Sequence, residues 1–225
     1  MANRNRIPRG DSVVVIGLGR FGGAVAESLI RMGHEVLGVD DNYDRVQQWS
    51  GLLTHVVQAD TTSIETLREL GVAEFKHAVV GIGNNVEASV LTVLALEELG
   101  VKDIWAKAMT AKHGRILERT GAHHVIFPEA TMGERVAHLV NGRMIDFFEV
   151  EPGYAIAKTR TPADFDGRAL GELGVRSKHG VTVVAVKKPK EQEITYAKLE
   201  TVLSREDLLV VAGPTAQVER FAALT

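Results

Sequence analysis

At 225 residues the chain has room for one domain with an appendage or for two small domains, taking about 150 residues per domain. Its 45% hydrophobic and 24% charged residues exclude a disordered or collagen-like polymer. The absence of cysteine excludes a disulfide framework, a thiolate metal site, an iron–sulfur cluster and a cysteine nucleophile, and a net charge of −3 offers no global field for nucleic acid.

Met1 to Asp11 is polar, with Arg4, Arg6 and Arg9 but no apolar run behind them, so no secretory signal is read and a cytoplasmic protein is expected. Short runs rich in Val and Ile then alternate with segments of helical period, the pattern of βα units around a parallel sheet. The expected strands are Ser12 to Ile16, Glu35 to Val39, His55 to Gln58, His77 to Ile82, Asp103 to Ala108 and His124 to Phe127. The expected helices are Gly22 to Met32, Tyr43 to Ser50, Ser63 to Leu70, Asn85 to Leu99 and Lys112 to Thr120. Gly33, Gly71, Gly100 and Gly121 follow four of these helices, where a left-handed cap wants glycine. The most apolar helical stretch, Ala88 to Leu96, is about half of the roughly 20 residues that a membrane span requires.

A further helix is expected over Thr131 to Met144, after which the character of the chain changes. Strands at Phe147 to Val150, Ala155 to Thr159, Val181 to Lys187, Ile194 to Tyr196 and Leu208 to Ala212, with helices at Arg168 to Leu173 and Thr215 to Ala223, read as a small α+β unit. Lys187 to Gln192 reads as a hairpin tip. The division is placed at residues 1–145 and 146–225: a doubly wound, Rossmann-like parallel sheet of about six strands with a crossover helix, then the α+β domain.

The chemistry concentrates at the carboxyl ends of the first-domain strands. Gly17-Leu18-Gly19-Arg20-Phe21-Gly22 is G-x-G-x-x-G placed after a strand and opening a helix. The first glycine allows a tight turn, the second lets backbone approach a phosphate, and the third lets helix pack on strand. The free N–H groups at that helix start favour an anion. Asp40 closes the second strand at the distance expected of a carboxylate that binds ribose hydroxyls. Arg20 either clamps a phosphate or lies in solvent. Asp60-Thr61-Thr62-Ser63 reads as a helix N-cap, an adenine-side contact, or both. Gly81-Ile82-Gly83-Asn84-Asn85 loosens the same edge, and Lys107 ends a strand there, as a site cation or a surface lysine. Glu129 is one oxygen ligand for a hard cation or a charge near a helix start.

His113, His123, His124 and His138 lack metal-ligand spacing. Tyr154-Ala155-Ile156-Ala157-Lys158 spells Y-x-x-x-K, but Pro152-Gly153 and the alternation that follows place it on a strand. There the phenol and ammonium stand about 13 Å apart at roughly 3.3 Å per residue, so no catalysis is assigned to the pair.

With V-V-V-I-G-L-G-R-F-G at Val13 to Gly22, G-H-E-V-L-G-V-D at Gly33 to Asp40, I-W-A-K-A at Ile104 to Ala108 and F-P-E-A-T-M-G at Phe127 to Gly133, the chain resembles the regulatory subunits of Ktr/Trk-type potassium transporters, the RCK or KTN domain family. V-R-S-K-H-G-V-T-V-V-A-V at Val175 to Val186 resembles the family's smaller C-terminal domain. The resemblance implies homodimers assembled into a homo-octameric ring, docked at the inner face of the cell membrane on a separate potassium-translocating subunit and switched between ATP and ADP forms. It also implies roles: Gly17, Gly19 and Gly22 at the phosphates with Lys107 beside them, Asp40 at the ribose, Asp60 and Thr61 at the adenine side, and Phe21, Gly83 and Asn85 among the other cofactor-binding residues. Arg20 would reach a neighbour's γ-phosphate, Glu129 would bind Mg²⁺ or Ca²⁺, and Arg176 would meet cyclic di-AMP. The alternatives are an NAD(H)-dependent oxidoreductase, for which no catalytic group is found, and a free-standing nucleotide sensor.

Overall fold

The computed structural model describes residues 12–140, 142–189, 191 and 193–225. The N-terminal arginines, and Lys190 and Gln192 of the expected hairpin tip, lie outside them.

The first strand, β1 (Val13–Ile16), is buried along its whole length, as a central parallel strand covered on both faces must be. Around it come α1 (Arg20–Arg31), β2 (Val36–Asp40), α2 (Tyr43–Trp49), β3 (His55–Gln58), α3 (Ile64–Glu69), β4 (His77–Val80), α4 (Val86–Glu98), β5 (Asp103–Lys107), α5 (Ala111–Arg119) and β6 (His124–Ile126). The strands form one parallel sheet in the order β3-β2-β1-β4-β5-β6. Val13 lies opposite both Val36 and His77. The order reverses between β1 and β4, which opens a crevice at their carboxyl ends. One face buries Val14, Ile16, Val80 and Ile104 with Leu67, Val93, Leu96 and Leu117 of α3, α4 and α5. The other buries Val13, Val15 and Val36 with Ala26 of α1 and Leu53. The four expected stops are met: Gly33, Gly71, Gly100 and Gly121 all have positive φ.

Boundaries shift where local chemistry intervenes. β2 runs one residue further than expected, through Asp40, and β4 stops at Val80, so Gly81 and Ile82 already belong to the crevice. α6 spans Pro128–Val140 rather than Thr131 to Met144. Proline has no N–H to lose at a first helical position, so the helix starts on it, and Gly142, at φ +71°, stands beyond its end.

The chain divides into two compact units between Glu129 and Ala130. The sequence-based boundary at 145/146 puts α6 with the first unit, whereas from Ala130 onward the helix belongs to the second. Leu139 packs on the second core, His138 pairs with Glu219 at 3.0 Å and stacks on Phe147 at 3.9 Å, and Arg135 binds Asp146. That unit continues with β7 (Met144–Glu151), β8 (Tyr154–Arg160), α7 (Leu170–Leu173), α8 (Val175–His179), β9 (Thr182–Lys187), β10 (Thr195–Tyr196), β11 (Leu208–Pro214) and α9 (Thr215–Ala222). Its antiparallel sheet has the order β10-β9-β11-β8-β7. The helix α8 was not expected from the sequence. The core gathers Phe147, Leu173, Leu209, Val211, Val218 and Phe221.

Gly22 is the tightest point of the first unit, since a Cβ there would stand 1.9 Å from the Gly17 carbonyl oxygen. Gly22→Ala is expected to lower unfolding free energy by about 3 kcal/mol, an overpacking cost that backbone cannot relieve, as read from urea denaturation.

Candidate functional site

The turn from β1 into α1 is built by glycines for different reasons. Gly17 has φ +84°, a conformation that strains other residues, and its N–H donates to the Val39 carbonyl at 2.8 Å. Gly22 is required by the approach of its own backbone to Gly17, and a Cβ on Gly81 would lie 2.9 Å from the same carbonyl oxygen. Gly19 is different. Its backbone is ordinary and extended, and no protein atom lies within 4 Å of where its Cβ would be. Gly19 also caps α1 without a side-chain acceptor, and the first turn holds no acidic residue. The helix therefore presents its first N–H groups and the positive end of its dipole across open space, which suits an anion.

That space is a cleft of about 250 Å³ at the β1/β4 crevice, lined by Gly17, Gly19, Asp40, Arg45, Asp60, Thr61, Gly83 and Asn85, with Asp41, Asn42 and Asn84 at its polar wall. The buried carboxylate of Asp40 accepts from Leu18 N–H at 2.6 Å and Asn42 N–H at 2.9 Å, and Arg45 Nη1 stands 3.3 Å from Oδ2. Asp60 folds back on Thr62, accepting from its N–H and hydroxyl at 2.9 and 2.7 Å. These bonds hold its carboxyl below the ordinary range. The N-cap of α3 is Ser63, which accepts from Thr66 N–H. Thr61 turns its hydroxyl to the buried Thr92 at 3.0 Å, so its backbone lines the cleft while its side chain braces α4. Asn85 caps α4 through Ala88 N–H at 3.0 Å.

Lys107 lies at the far side of the glycine turn, largely buried, with Nζ 5.8 Å from the Phe21 ring centroid and 2.5 Å from Glu129 Oε1. A Cβ on Gly83 would stand 3.4 Å from the same Nζ, which places the ammonium at the rim of the cleft. The hydrogen bond from Lys107 is the largest influence holding the Glu129 carboxyl below its ordinary range, and the nearby charge of Arg20 adds to it. A carboxylate engaged by an ammonium does not supply the six or more oxygens that Mg²⁺ or Ca²⁺ wants. Among the described residues no group of three or more His, Cys, Asp or Glu could hold a metal ion. Within one chain Glu129 is the ion-pair partner of Lys107.

Sequence reasoning missed Arg45, Asn42 and Trp49. Asn42 caps α2 by accepting from Arg45 N–H, and Trp49 Nε1 donates to the Leu18 carbonyl at 3.2 Å, tying α2 to the glycine turn. Asn42, standing before a helical period, carries an N-cap signal; Arg45 has none. In the second unit Arg176 lies on α8 beside a cavity of about 590 Å³ whose wall is largely aliphatic, with Lys198 as its other cation. The Y-x-x-x-K pair lies on strand β8, as expected.

Residues 13–128 match the TrkA-N domain and residues 157–225 the TrkA-C domain. The chain is 36% identical over 208 residues to the Ktr system potassium uptake protein C of Bacillus subtilis (strain 168), covering 92% of this chain and 94% of that protein. It is 37% identical over 201 residues to the Ktr system potassium uptake protein A of Vibrio alginolyticus, covering 89% and 91%. Among solved structures, the GsuK RCK domain superposes with a TM-score of 0.64 at 24% identity over 96% of this chain and 47% of that one. This chain spans less than half of that structure, and the likeness is one of fold.

His113, on α5, accepts from Met109 N–H through Nδ1 at 3.3 Å, while Nε2 is buried without a partner. Burial lowers its pKa from 6.5. As pH falls below about 6.5 the unfolded chain takes up a proton that the folded chain refuses, so stability falls with pH. The lowered carboxyl groups of Asp60, Asp103, Glu129 and Asp146 act in the same direction at lower pH. Urea midpoints should decline between about pH 7.5 and 5.5, and His113→Gln should flatten that decline.

Proposed function

The chain belongs to the TrkA-N/TrkA-C domain family, and from that premise we propose that it is the nucleotide-binding regulatory subunit of a bacterial potassium uptake system, working at the inner face of the cell membrane on a separate potassium-translocating protein. The observation that carries nucleotide binding is the open position at Gly19, since the fold requires glycine at Gly17 and Gly22 but has no use for one between them. A phosphate approaching the backbone does.

In this reading the N–H groups of the glycine turn hold phosphates, Asp40 accepts the ribose hydroxyls, and the Asp60–Thr61 edge faces the adenine. Lys107 neutralises the phosphates from the rim. Arg20 is exposed and unencumbered by a carboxylate within salt-bridge distance among the described residues, so it is free to read a terminal phosphate carried by a second copy. A gate needs two states with different affinities for the same ligands, and the extra phosphate of ATP over ADP is such a difference. Nothing in this scheme calls for bond breaking, and the chain acts as a sensor and not as an enzyme. A divalent cation enters only where a second Glu129 supplies further oxygens in a homodimer, itself a unit of an octameric ring. Arg176 and the cavity beside it would take the phosphates of cyclic di-AMP. Among the described residues no helix is long and apolar enough to cross a membrane, consistent with a separate translocating partner.

A thermal-shift panel of ATP, ADP, AMP, NADH and cyclic di-AMP tests the reading, because a bound ligand raises stability by RT ln(1 + [L]/Kd). ATP and ADP should stabilise the chain, and Asp40→Ala should weaken both by about 1 to 3 kcal/mol through lost charge-assisted hydrogen bonds. Gly19→Val should abolish the shift while lowering urea stability by only about 1 kcal/mol, the scale of a poorer N-cap. NADH stabilisation together with substrate-dependent NADH oxidation would replace this reading with an oxidoreductase.

Arg20→Ala should leave ATP and ADP binding in place but remove the difference between them in assembly size and in reconstituted potassium flux. A mutant that still separates the two nucleotides places the switch elsewhere.

A further inference from the structure

The carboxylate of Asp40 is nearly enclosed, with 1% of its side chain exposed, whereas the Arg45 side chain beside it is 41% exposed. A carboxylate has about four acceptor sites. Two are held by backbone, Leu18 N–H on Oδ2 at 2.6 Å and Asn42 N–H on Oδ1 at 2.9 Å. The remaining two are shared by a single nitrogen, Arg45 Nη1, at 3.4 Å from Oδ1 and 3.3 Å from Oδ2. These distances are long for a bond between two charges, which closes to about 2.7 to 2.9 Å when geometry allows. The guanidinium straddles both oxygens without seating on either.

A ribose diol offers two hydroxyl donors and would need the same two sites. Arg45 has somewhere else to go, because it also borders a neighbouring cavity of about 400 Å³ with Gln48 and Trp49. The tether is loose enough for that: the Arg45 side chain is 41% exposed, and its own backbone stays anchored through Asn42. If a ligand without the diol enters, Arg45 keeps its place and the buried carboxylate keeps a counter-charge. A 2′-phosphate would meet Asp40 itself, so exchange of the arginine for a second anion is disfavoured.

We propose that Arg45 is a specificity-determining residue of the cleft, competing with the 2′,3′-hydroxyls of a ribose for the two free acceptor sites of Asp40 and so setting how strongly the site distinguishes a ribose from a deoxygenated sugar. The proposal rests on the nucleotide reading above. Without Arg45 the diol displaces no partner, and a ligand lacking the diol seals a charged carboxylate with only its two backbone bonds. Both effects widen the discrimination.

The test is calorimetric titration of the full chain with ATP and with 2′,3′-dideoxy-ATP, in wild type, Arg45→Met and Arg45→Lys, with melting temperatures confirming that each variant is folded. The ratio of the two affinities should widen about fivefold or more in Arg45→Met, the scale of a partly buried ion pair, with ATP itself binding more tightly. Arg45→Lys keeps the charge without the planar fork and should fall between. A ratio unchanged or narrowed in Arg45→Met, or a parallel loss of both ligands, overturns the role of Arg45 while leaving the nucleotide reading intact. Failure of ATP to bind the wild type overturns the nucleotide reading and this proposal with it.

Discussion

The backbone crossing at Gly17, Gly22 and Gly81 is the constraint from which the rest of the first unit follows. Three segments meet there at distances that no Cβ permits: the end of β1, the first turn of α1 and the end of β4. Their closeness aims the helix N-terminus along the crevice where the strand order reverses. It also brings the end of β2, and with it Asp40, within one hydrogen bond of Leu18. The α1 N–H groups, the Asp40 carboxylate and the polar β4–α4 loop thus open on one cleft because the backbone beneath them is packed without side chains. Relaxing that crossing would disperse the cleft before it altered any residue in it.

Charge at the cleft and its rim is arranged in pairs. Asp40 is balanced by Arg45 and Lys107 by Glu129, and in each pair one partner is enclosed while the other reaches into solvent. The enclosed partner cannot lose its counter-charge without a large desolvation penalty, while the exposed one swings away cheaply. In the proposed reading a phosphate gives Lys107 a replacement counter-charge, while two ribose hydroxyls give Asp40 hydrogen bonds in place of those from Arg45. On that reading, binding energy is then the difference between two sets of contacts.

Much of this was legible from the residues. The six strands, their helices and the four glycine stops were read because burial on both sheet faces and left-handed caps leave local signatures. The glycine turn and Asp40 were read because their spacing is dictated by one βαβ unit. What escaped has physical reasons. The helix α8 holds five residues between Gly174 and Gly180, both at positive φ, too few for a helical period to show. α6 starts three residues before the expected Thr131 because Pro128, which has no N–H to lose, serves as its first residue. Arg45 touches Asp40 through a fold-back after β2 that follows no fixed motif, and the ion pair between Lys107 and Glu129 joins two segments that sequence reasoning handled separately.

The bond from the Trp49 indole to the Leu18 carbonyl has an optical consequence. The chain has two tryptophans, and the other, Trp105, stacks on His124 at 4.0 Å on β5, away from the glycine turn. Trp49 alone is bonded to that turn, and it also borders the cavity shared by Arg20 and Arg45. Because indole emission shifts in wavelength with the polarity and hydrogen bonding around the ring, Trp49 is a native chromophore wired to the loop, and the colour of its fluorescence carries the state of the turn without any attached dye.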